Sequence, residues 1–237
     1  MSASENITEN FAAIQTRIEA ACLRANLGAG RDPAGVQLIW VSKTHPVSSI
    51  LEAHAAGARI FGENRVQEVL EKFPLEVPDY ELHLIGSLQR NKVRKVLPLC
   101  STIHSVDSIA LWEALDRVAG ELGVRRDVLL QVNTSREPAK SGLEPGDLME
   151  TLEKLAPATN LNLIGLMTLG PVEGGEEAAR ACFRELASLL QNARGKFAER
   201  YPNLAKLSMG MSGDFETAVE EGAHFVRVGT ALFGTRP

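Results

Sequence analysis

Apolar positions near the amino terminus recur at three- and four-residue spacing. This spacing places one apolar stripe along a helix, and the stripe consists of Phe11, Ile14, Ile18, Cys22 and Ala25. Gly28 follows the last of these positions and predicts that the helix ends near it. Because this helix precedes the first strand-like segment, it is an addition to the repeating pattern that follows.

Beyond the helix, short apolar and β-branched runs alternate with longer amphipathic segments. The runs predict eight strands, at 36–42, 58–62, 82–86, 102–106, 127–133, 161–167, 204–210 and 224–229. Near-continuous apolar strands separated by helices indicate a parallel sheet covered on both faces, since each crossover lays a helix against the sheet. Eight such units favour an α/β fold that closes into a (β/α)8 barrel of the TIM type.

An open, doubly wound sheet is the alternative fold. That fold carries a glycine-rich phosphate motif after its first strand, whereas the segment SKTHP stands there at 42–46. No linker rich in proline, glycine or serine divides the 237 residues, and this length is near the ~250 typical of the barrel. We therefore predict a single domain over residues 1–237, with the N-terminal helix included.

Composition narrows the classes of function. Hydrophobic residues make up 44% and charged residues 23%, as in ordinary globular proteins. The sequence opens with no leader-like segment and contains no apolar run of roughly 18 residues, so we expect neither secretion nor a membrane span but a cytoplasmic protein. Three cysteines without close spacing indicate neither disulfides nor zinc. The net charge of −5 argues against a surface that coats nucleic acid.

Lys43 is the first candidate for chemistry, because it directly follows the apolar run at 36–41. In such a barrel, polar groups just after the strands face the active-site end. Burial there favours the neutral amine, and a neutral amine is what attack on a carbonyl to form an imine requires. The alternative is a lysine that reaches solvent from the end of a strand.

A phosphate site is predicted beyond the last two strands, where barrels of this kind often bind phosphate. The segment LSMGMSGD at 207–214 places Ser212 where a helix begins, and free N–H groups at a helix N-terminus suit an anion. The alternative is that Ser212 only caps that helix. The segment at 225–234 ends the eighth strand with Arg227, Gly229 and Thr230.

Several segments, in order along essentially the whole chain, resemble those of the pyridoxal phosphate homeostasis proteins. They are VSKTHP at 41–46, FGENRVQE at 61–68, HLIGSLQRNK at 83–92, SVD at 105–107, KSG at 140–142, GLM at 165–167, LSMGMSGD at 207–214 and VRVGTALFG at 226–234. The resemblance implies a barrel similar to the N-terminal domain of alanine racemase. It also implies that pyridoxal 5′-phosphate (PLP) is held as a Schiff base on the lysine that matches Lys43.

The same resemblance assigns further cofactor-binding residues. It implies that Ser212, Gly229 and Thr230 hold the phosphate, that Arg227 contacts the pyridine nitrogen and that Asn64 lies near the ring. It assigns no catalytic residue. No metal is predicted, since the histidines are not spaced with carboxylates as metal ligands would be.

Two further sets of basic residues are left with open alternatives. Lys140 follows the fifth strand, and we expect a loop lysine there rather than a second amine near the mouth. A basic cluster follows the third strand and consists of Arg90, Lys92, Arg94 and Lys95. Such a cluster is typical of a solvated face, and the alternative is a role in guiding a phosphorylated ligand.

The implied arginine at the pyridine nitrogen favours a carrier over an enzyme. An arginine stays charged, keeps that nitrogen unprotonated and so weakens the ring as an electron sink. Racemisation needs a second acid/base group, typically a tyrosine, and the only tyrosines, Tyr80 and Tyr201, precede predicted strands and belong at the opposite end. The sequence also ends just after the eighth strand, which leaves no residues for the racemases' second domain.

We therefore expect a PLP-binding protein of intracellular PLP homeostasis that holds the cofactor without strong turnover. We expect it to be a monomer, with a weak dimer left open, and to pass PLP to apo-enzymes that need it. The first alternative is a PLP-dependent amino-acid racemase or lyase. The second is a nucleic-acid or protein-binding module that uses the basic segment at 90–95.

Overall fold

The computed structural model describes residues 3–25 and 32–234. The strands are β1 (Gln37–Val41), β2 (Ile60–Glu63), β3 (Glu81–Leu84), β4 (Thr102–Val106), β5 (Arg126–Gln131), β6 (Leu161–Met167), β7 (Lys206–Ser208) and β8 (Phe225–Val228). The helices are α1 (Ala3–Arg24), α2 (Val47–Ala55), α3 (Val66–Lys72), α4 (Val93–Val96), α5 (Ile109–Leu122), α6 (Leu148–Lys154), α7 (Gly175–Phe197), α8 (Phe215–Glu220) and α9 (Thr230–Phe233).

The strands form a closed barrel in which each strand pairs in parallel with the next and β8 pairs with β1. At the closure, Ile39 lies opposite Arg227. The predicted (β/α)8 fold is confirmed, and each observed strand overlaps with a predicted run, to within one residue beyond its bounds. The seventh strand is the shortest, although the amides of Ala205 and Met209 donate to carbonyls of β6 and β8 and so extend its pairing by one residue at each end.

The predicted N-terminal helix is also confirmed. The side chains of Ile14, Ile18 and Cys22 are buried, and the Phe11 ring packs 5.0 Å from the Trp40 ring, between centroids. The helix ends at Arg24, whereas Gly28 lies outside the described residues. Ion pairs from Arg24 to α8 tie the far end of α1 to the barrel's last crossover.

Two apolar layers fill the structure. The larger lies between the strands and the helices, and α5 shows how it forms: Ser108 caps the helix by accepting a hydrogen bond from the Leu111 amide, and the buried face follows at helical spacing. The smaller layer fills the barrel interior with Ile39, Val41, Ile85, Leu129, Ile164, Met167 and Phe225.

Alternation along the strands decides which side chains enter the barrel. In β1, Ile39 and Val41 belong to the interior layer whereas Trp40 packs in the outer one, as the two-residue period of a strand requires. Polar side chains share the interior with the small apolar layer, and those of His104 and Arg227 are buried there. Within the described residues, no helix is long and apolar enough to cross a membrane.

Candidate cofactor-binding site

A cavity of about 280 Å³ lies at the carboxyl ends of the strands. Its lining residues are Val41, Lys43, Asn64, Ile85, Leu169, Met211, Ser212, Gly213, Arg227, Gly229 and Thr230. All six residues that the sequence singled out for cofactor binding are among them. The fold therefore brings together residues that lie up to 187 positions apart in the sequence, from Lys43 to Thr230.

The side of the cavity formed by β1 and β2 presents an amine and an unsatisfied amide. Lys43 directly follows β1, and Asn64 directly follows β2. The Asn64 Oδ1 atom is buried and has no hydrogen-bond partner. Gly86 is required next to it, because a Cβ at position 86 would lie 2.2 Å from the Asn64 carbonyl oxygen. A buried acceptor without a partner at a cavity wall suits a ligand that donates a hydrogen bond.

On β8, the other neighbour of β1, Arg227 is a buried cation. Its Nη1 donates to Ser208 Oγ at 2.7 Å, and its Nη2 donates to the Thr168 carbonyl at 2.8 Å. Burial lowers the pKa of Arg227 to about 10, against the opposing effect of the Asp214 carboxylate, so the guanidinium is charged at neutral pH. Both hydrogen-bond partners are neutral, and a buried charge held only by neutral groups is costly. The site therefore favours a ligand that brings an acceptor to this cation.

Ser212 does not cap the following helix, so that alternative is wrong. The N-cap of α8 is Asp214, whose carboxylate accepts a hydrogen bond from the Met211 amide at 2.6 Å. Ser212 Oγ instead accepts from the Gly229 amide at 3.3 Å. The loops after β7 and β8 thus meet at this hydroxyl, on the side of the barrel predicted to bind phosphate.

Gly229 allows the backbone of this loop to approach β1 closely. A Cβ at position 229 would lie 3.0 Å from the Val41 carbonyl oxygen and 3.3 Å from the Val41 Cβ atom. Thr230 begins the short helix α9 directly after this glycine. Together these residues form a compact wall of backbone amides and hydroxyls, which is the chemistry that a phosphate group needs.

A chain of hydrogen bonds leads from Arg227 through the barrel interior to its other end. Ser208 Oγ lies 2.9 Å from His104 Nδ1, His104 Nε2 lies 3.0 Å from His83 Nδ1, and His83 Nε2 lies 3.3 Å from a Glu81 carboxylate oxygen. Arginine only donates and an ionised carboxylate only accepts, so with one proton on each imidazole every donor in this chain points from Arg227 towards Glu81. In that order the ring proton of each histidine is on Nε2.

Nothing in the sequence singled out the histidines of this chain, beyond the spacing that argued against a metal site. Burial, reinforced by the neighbouring His83 and Arg227, holds the pKa of His104 well below its ordinary value. At the far end of the chain, Glu81 and His83 line a second cavity of about 570 Å³ at the amino ends of the strands. The one usable signal was that His83 and His104 each lie inside a buried strand.

The remaining candidates have structural contacts away from the cavity. Lys140 Nζ pairs with the Glu137 carboxylate at 2.6 Å and donates to the Gly170 carbonyl at 2.5 Å, as a loop lysine does. In the basic cluster, Arg94 pairs with Glu121 on the surface. No group of three potential metal ligands occurs in the part of the chain that the structure describes.

Neither tyrosine reaches the cavity. The Tyr80 hydroxyl accepts a hydrogen bond from the Leu75 amide at 2.9 Å, and the Tyr201 hydroxyl donates to the Leu152 carbonyl at 2.8 Å. Tyr80 lies before β3, and Tyr201 lies before β7. They therefore form hydrogen bonds with segments around the barrel and do not line its mouth.

Comparisons with known proteins identify the family to which this chain belongs. The family model for the alanine racemase N-terminal domain matches residues 5–237. A pyridoxal phosphate homeostasis protein of Pseudomonas aeruginosa is 43% identical over 97% of this chain and 96% of its own, and one of Aquifex aeolicus is 40% identical over 98% and 99%. The structure of PipY of Synechococcus elongatus with PLP bound is 39% identical and superposes with a TM-score of 0.81 over 96% of this chain and 100% of PipY. The chain therefore belongs to the alanine racemase N-terminal domain family and, within it, to the pyridoxal phosphate homeostasis proteins.

Proposed function

We propose that this protein binds PLP at the mouth of its barrel, as a Schiff base on Lys43, and serves in PLP homeostasis without strong catalytic turnover. The binding unit is one domain that spans residues 1–237. The observation that carries the proposal is the single cavity shared by all six predicted residues, which combines a lysine, a buried cation and a wall of hydroxyls and amides.

Each part of the cavity matches one part of PLP. The Lys43 amine attacks the aldehyde carbon, and loss of one water molecule leaves a carbon–nitrogen double bond. Ser212, Gly229 and Thr230 bind the phosphate, whereas Arg227 faces the pyridine nitrogen. Because Arg227 carries its own proton and charge, it holds that nitrogen as an acceptor and keeps it unprotonated.

The same geometry opposes efficient turnover. Bound PLP supplies an electron sink for carbanion chemistry, and an unprotonated pyridine nitrogen makes that sink weak. Racemisation also needs an acid/base group on the face of the substrate opposite the lysine, and both tyrosines are engaged elsewhere. We therefore propose a role in sequestering PLP and passing it to apo-enzymes, performed by a cytoplasmic monomer.

Reductive trapping tests the proposal. The purified protein, incubated with PLP, should absorb in the visible range of an imine, and borohydride should fix one pyridoxyl group on Lys43, identified by peptide mass mapping. Lys43→Ala should abolish both signals and leave the fold intact, because residue 43 lies at the mouth and outside the packed layers. Lys140→Ala is the matched control, and it should change neither signal. Equal labelling of another lysine in the Lys43→Ala variant would overturn the assignment.

A further inference from the structure

Lys43 lies between two residues, Ser42 and Thr44, whose backbone groups bond to one partly buried ionic cluster. We call Glu63, Glu68 and Lys72 the α3 cluster, because two of its members belong to α3 and the third ends β2. Lys72 Nζ donates to the Ser42 carbonyl at 2.9 Å, to Glu63 Oε1 at 3.0 Å and to Glu68 Oε2 at 2.6 Å. One ammonium group thus holds the carbonyl that immediately precedes Lys43.

Glu68 holds the other side of Lys43. Its Oε2 atom accepts a hydrogen bond from the Thr44 amide at 2.6 Å. Thr44 has a φ of +68°, a left-handed conformation that is costly for a β-branched residue. Such strain persists only where the surroundings enforce it, and it concentrates at functional sites. The Glu68 carboxylate supports this conformation together with the turn at 42–45, in which the His45 amide donates to the Ser42 carbonyl at 3.1 Å.

Glu63 completes the cluster beneath the same turn. It is fully buried, its Oε1 accepts from the Ser42 hydroxyl at 2.8 Å, and its Oε2 has no partner. Burial raises the pKa of Glu63 in spite of the hydrogen bonds from Ser42 and Lys72. For Glu68, burial opposes ionisation, but hydrogen bonds from Lys72 and the Thr44 amide outweigh it and lower the pKa.

A contribution to the stability of the fold does not explain why the α3 cluster makes these contacts. Two carboxylates share one ammonium in a partly buried site, an arrangement whose desolvation cost offsets part of the attraction. A strained threonine adds to that cost. What the cluster does achieve is geometric, since it holds the peptide groups on both sides of Lys43.

We propose that Glu63, Glu68 and Lys72 are positioning residues that set the backbone at Lys43 and so aim its amine at the carbonyl carbon of PLP. The inference rests on the proposed function, because imine formation at Lys43 is the step that the cluster serves. Its signature is a slower imine-forming step without weaker recognition of the phosphate and the ring.

The test separates the covalent step from recognition. Glu68→Ala should slow imine formation with PLP by about tenfold or more, because small losses of alignment cost large factors in rate. Its affinity for pyridoxine 5′-phosphate, which lacks the aldehyde, should stay within about twofold, since the phosphate contacts are untouched. Glu71→Ala is the matched control on the same helix, because Glu71 pairs with Gln67 and not with the cluster. It should change neither quantity.

A rescue variant distinguishes positioning from general support of the fold. Glycine occupies positive φ at little cost, so the double variant Thr44→Gly/Glu68→Ala should recover most of the lost rate. Lys72→Met provides a second route, because it removes the ammonium that donates to the Ser42 carbonyl, and it should show the same slowing with the same analogue affinity.

Three results would overturn the positioning role. They are unchanged rates in folded Glu68→Ala and Lys72→Met proteins, parallel loss of imine formation and analogue binding, or failure of glycine at position 44 to rescue. Labelling of a lysine other than Lys43 in the parent protein would instead defeat the proposed function itself, so the two failures are distinguishable.

Discussion

Ser212 contributes one hydroxyl to the cavity, and the hydrogen bond that this hydroxyl accepts determines how it can donate. Its Oγ accepts a hydrogen bond from the Gly229 amide, which leaves the hydroxyl proton available to donate. Ser212 lines the cavity, so we expect a ligand atom there to accept that proton. A phosphate oxygen is the strongest such acceptor in PLP.

Removal of this hydroxyl should weaken PLP selectively. Ser212→Ala loses a charge-assisted hydrogen bond worth roughly 1.5–3 kcal/mol, so the Kd for PLP should rise about tenfold or more. Pyridoxal, which has no phosphate, should bind with nearly unchanged affinity. Absorbance titration of the imine with each ligand measures both values. Equal losses for the two ligands would show that the hydroxyl supports the fold rather than the phosphate.

At the scale of the strands, one hydrogen-bond chain links four of them. Glu81 and His83 belong to β3, His104 to β4, Ser208 to β7 and Arg227 to β8. Arg227 donates at one end and Glu81 accepts at the other, which, with one proton on each imidazole, leaves a single order of donors through the two histidines. The chain therefore fixes the orientation of the guanidinium that faces the cavity.

This order predicts the tautomers of both buried histidines. Long-range ¹H–¹⁵N spectra of labelled protein should show the single ring proton of His83 and of His104 on Nε2. Ser208→Ala removes the donor to His104 Nδ1 and should change the ¹⁵N shifts of His104 most strongly, whereas the shifts of His54, on α2, should stay as they are. A proton on Nδ1 of either buried ring in the parent protein would refute the order of donors.

At the scale of the whole molecule, the buried His104 couples folding to pH. Its pKa in the folded protein lies well below the value of about 6.5 for an unfolded histidine. Below about pH 6.5 the unfolded chain binds a proton at this residue and the folded chain does not. The free energy of unfolding therefore falls as the pH falls, by up to about 1.4 kcal/mol per pH unit.

Urea unfolding at several pH values between about pH 7 and pH 5 measures how the free energy of unfolding depends on pH. This range spans the ordinary pKa of a histidine. His104→Gln removes the titrating ring and keeps a side-chain donor, so its stability should depend less steeply on pH than that of the parent. The matched control is His54→Gln, since His54 is partly exposed and bonds the Pro78 carbonyl. If the slopes of parent and His104→Gln coincide, His104 does not titrate on unfolding as the structure requires.

The local features of this protein were readable from its sequence. The strands, the apolar face of α1 and the placement of Lys43 at a strand end follow from periods of two and 3.6 residues, which act within a short stretch of chain. Parallel strands place their carboxyl ends together, so Lys43 and Arg227 could be assigned to one mouth before any contact was known. The predicted roles of Asn64 and Arg227 came from the family resemblance alone, whereas Lys43 and Ser212 were candidates from their positions as well.

What the tertiary structure alone decided are the contacts that depend on barrel closure and register. The Glu68–Thr44 contact spans 24 positions and the His104–Ser208 contact spans 104, and no local period carries information about either. The choice for Ser212 between helix cap and cavity wall was open for the same reason. The choice depends on the path of the loop after β8. In this structure the Gly229 amide of that loop donates to the Ser212 hydroxyl, and Asp214 is the N-cap of α8.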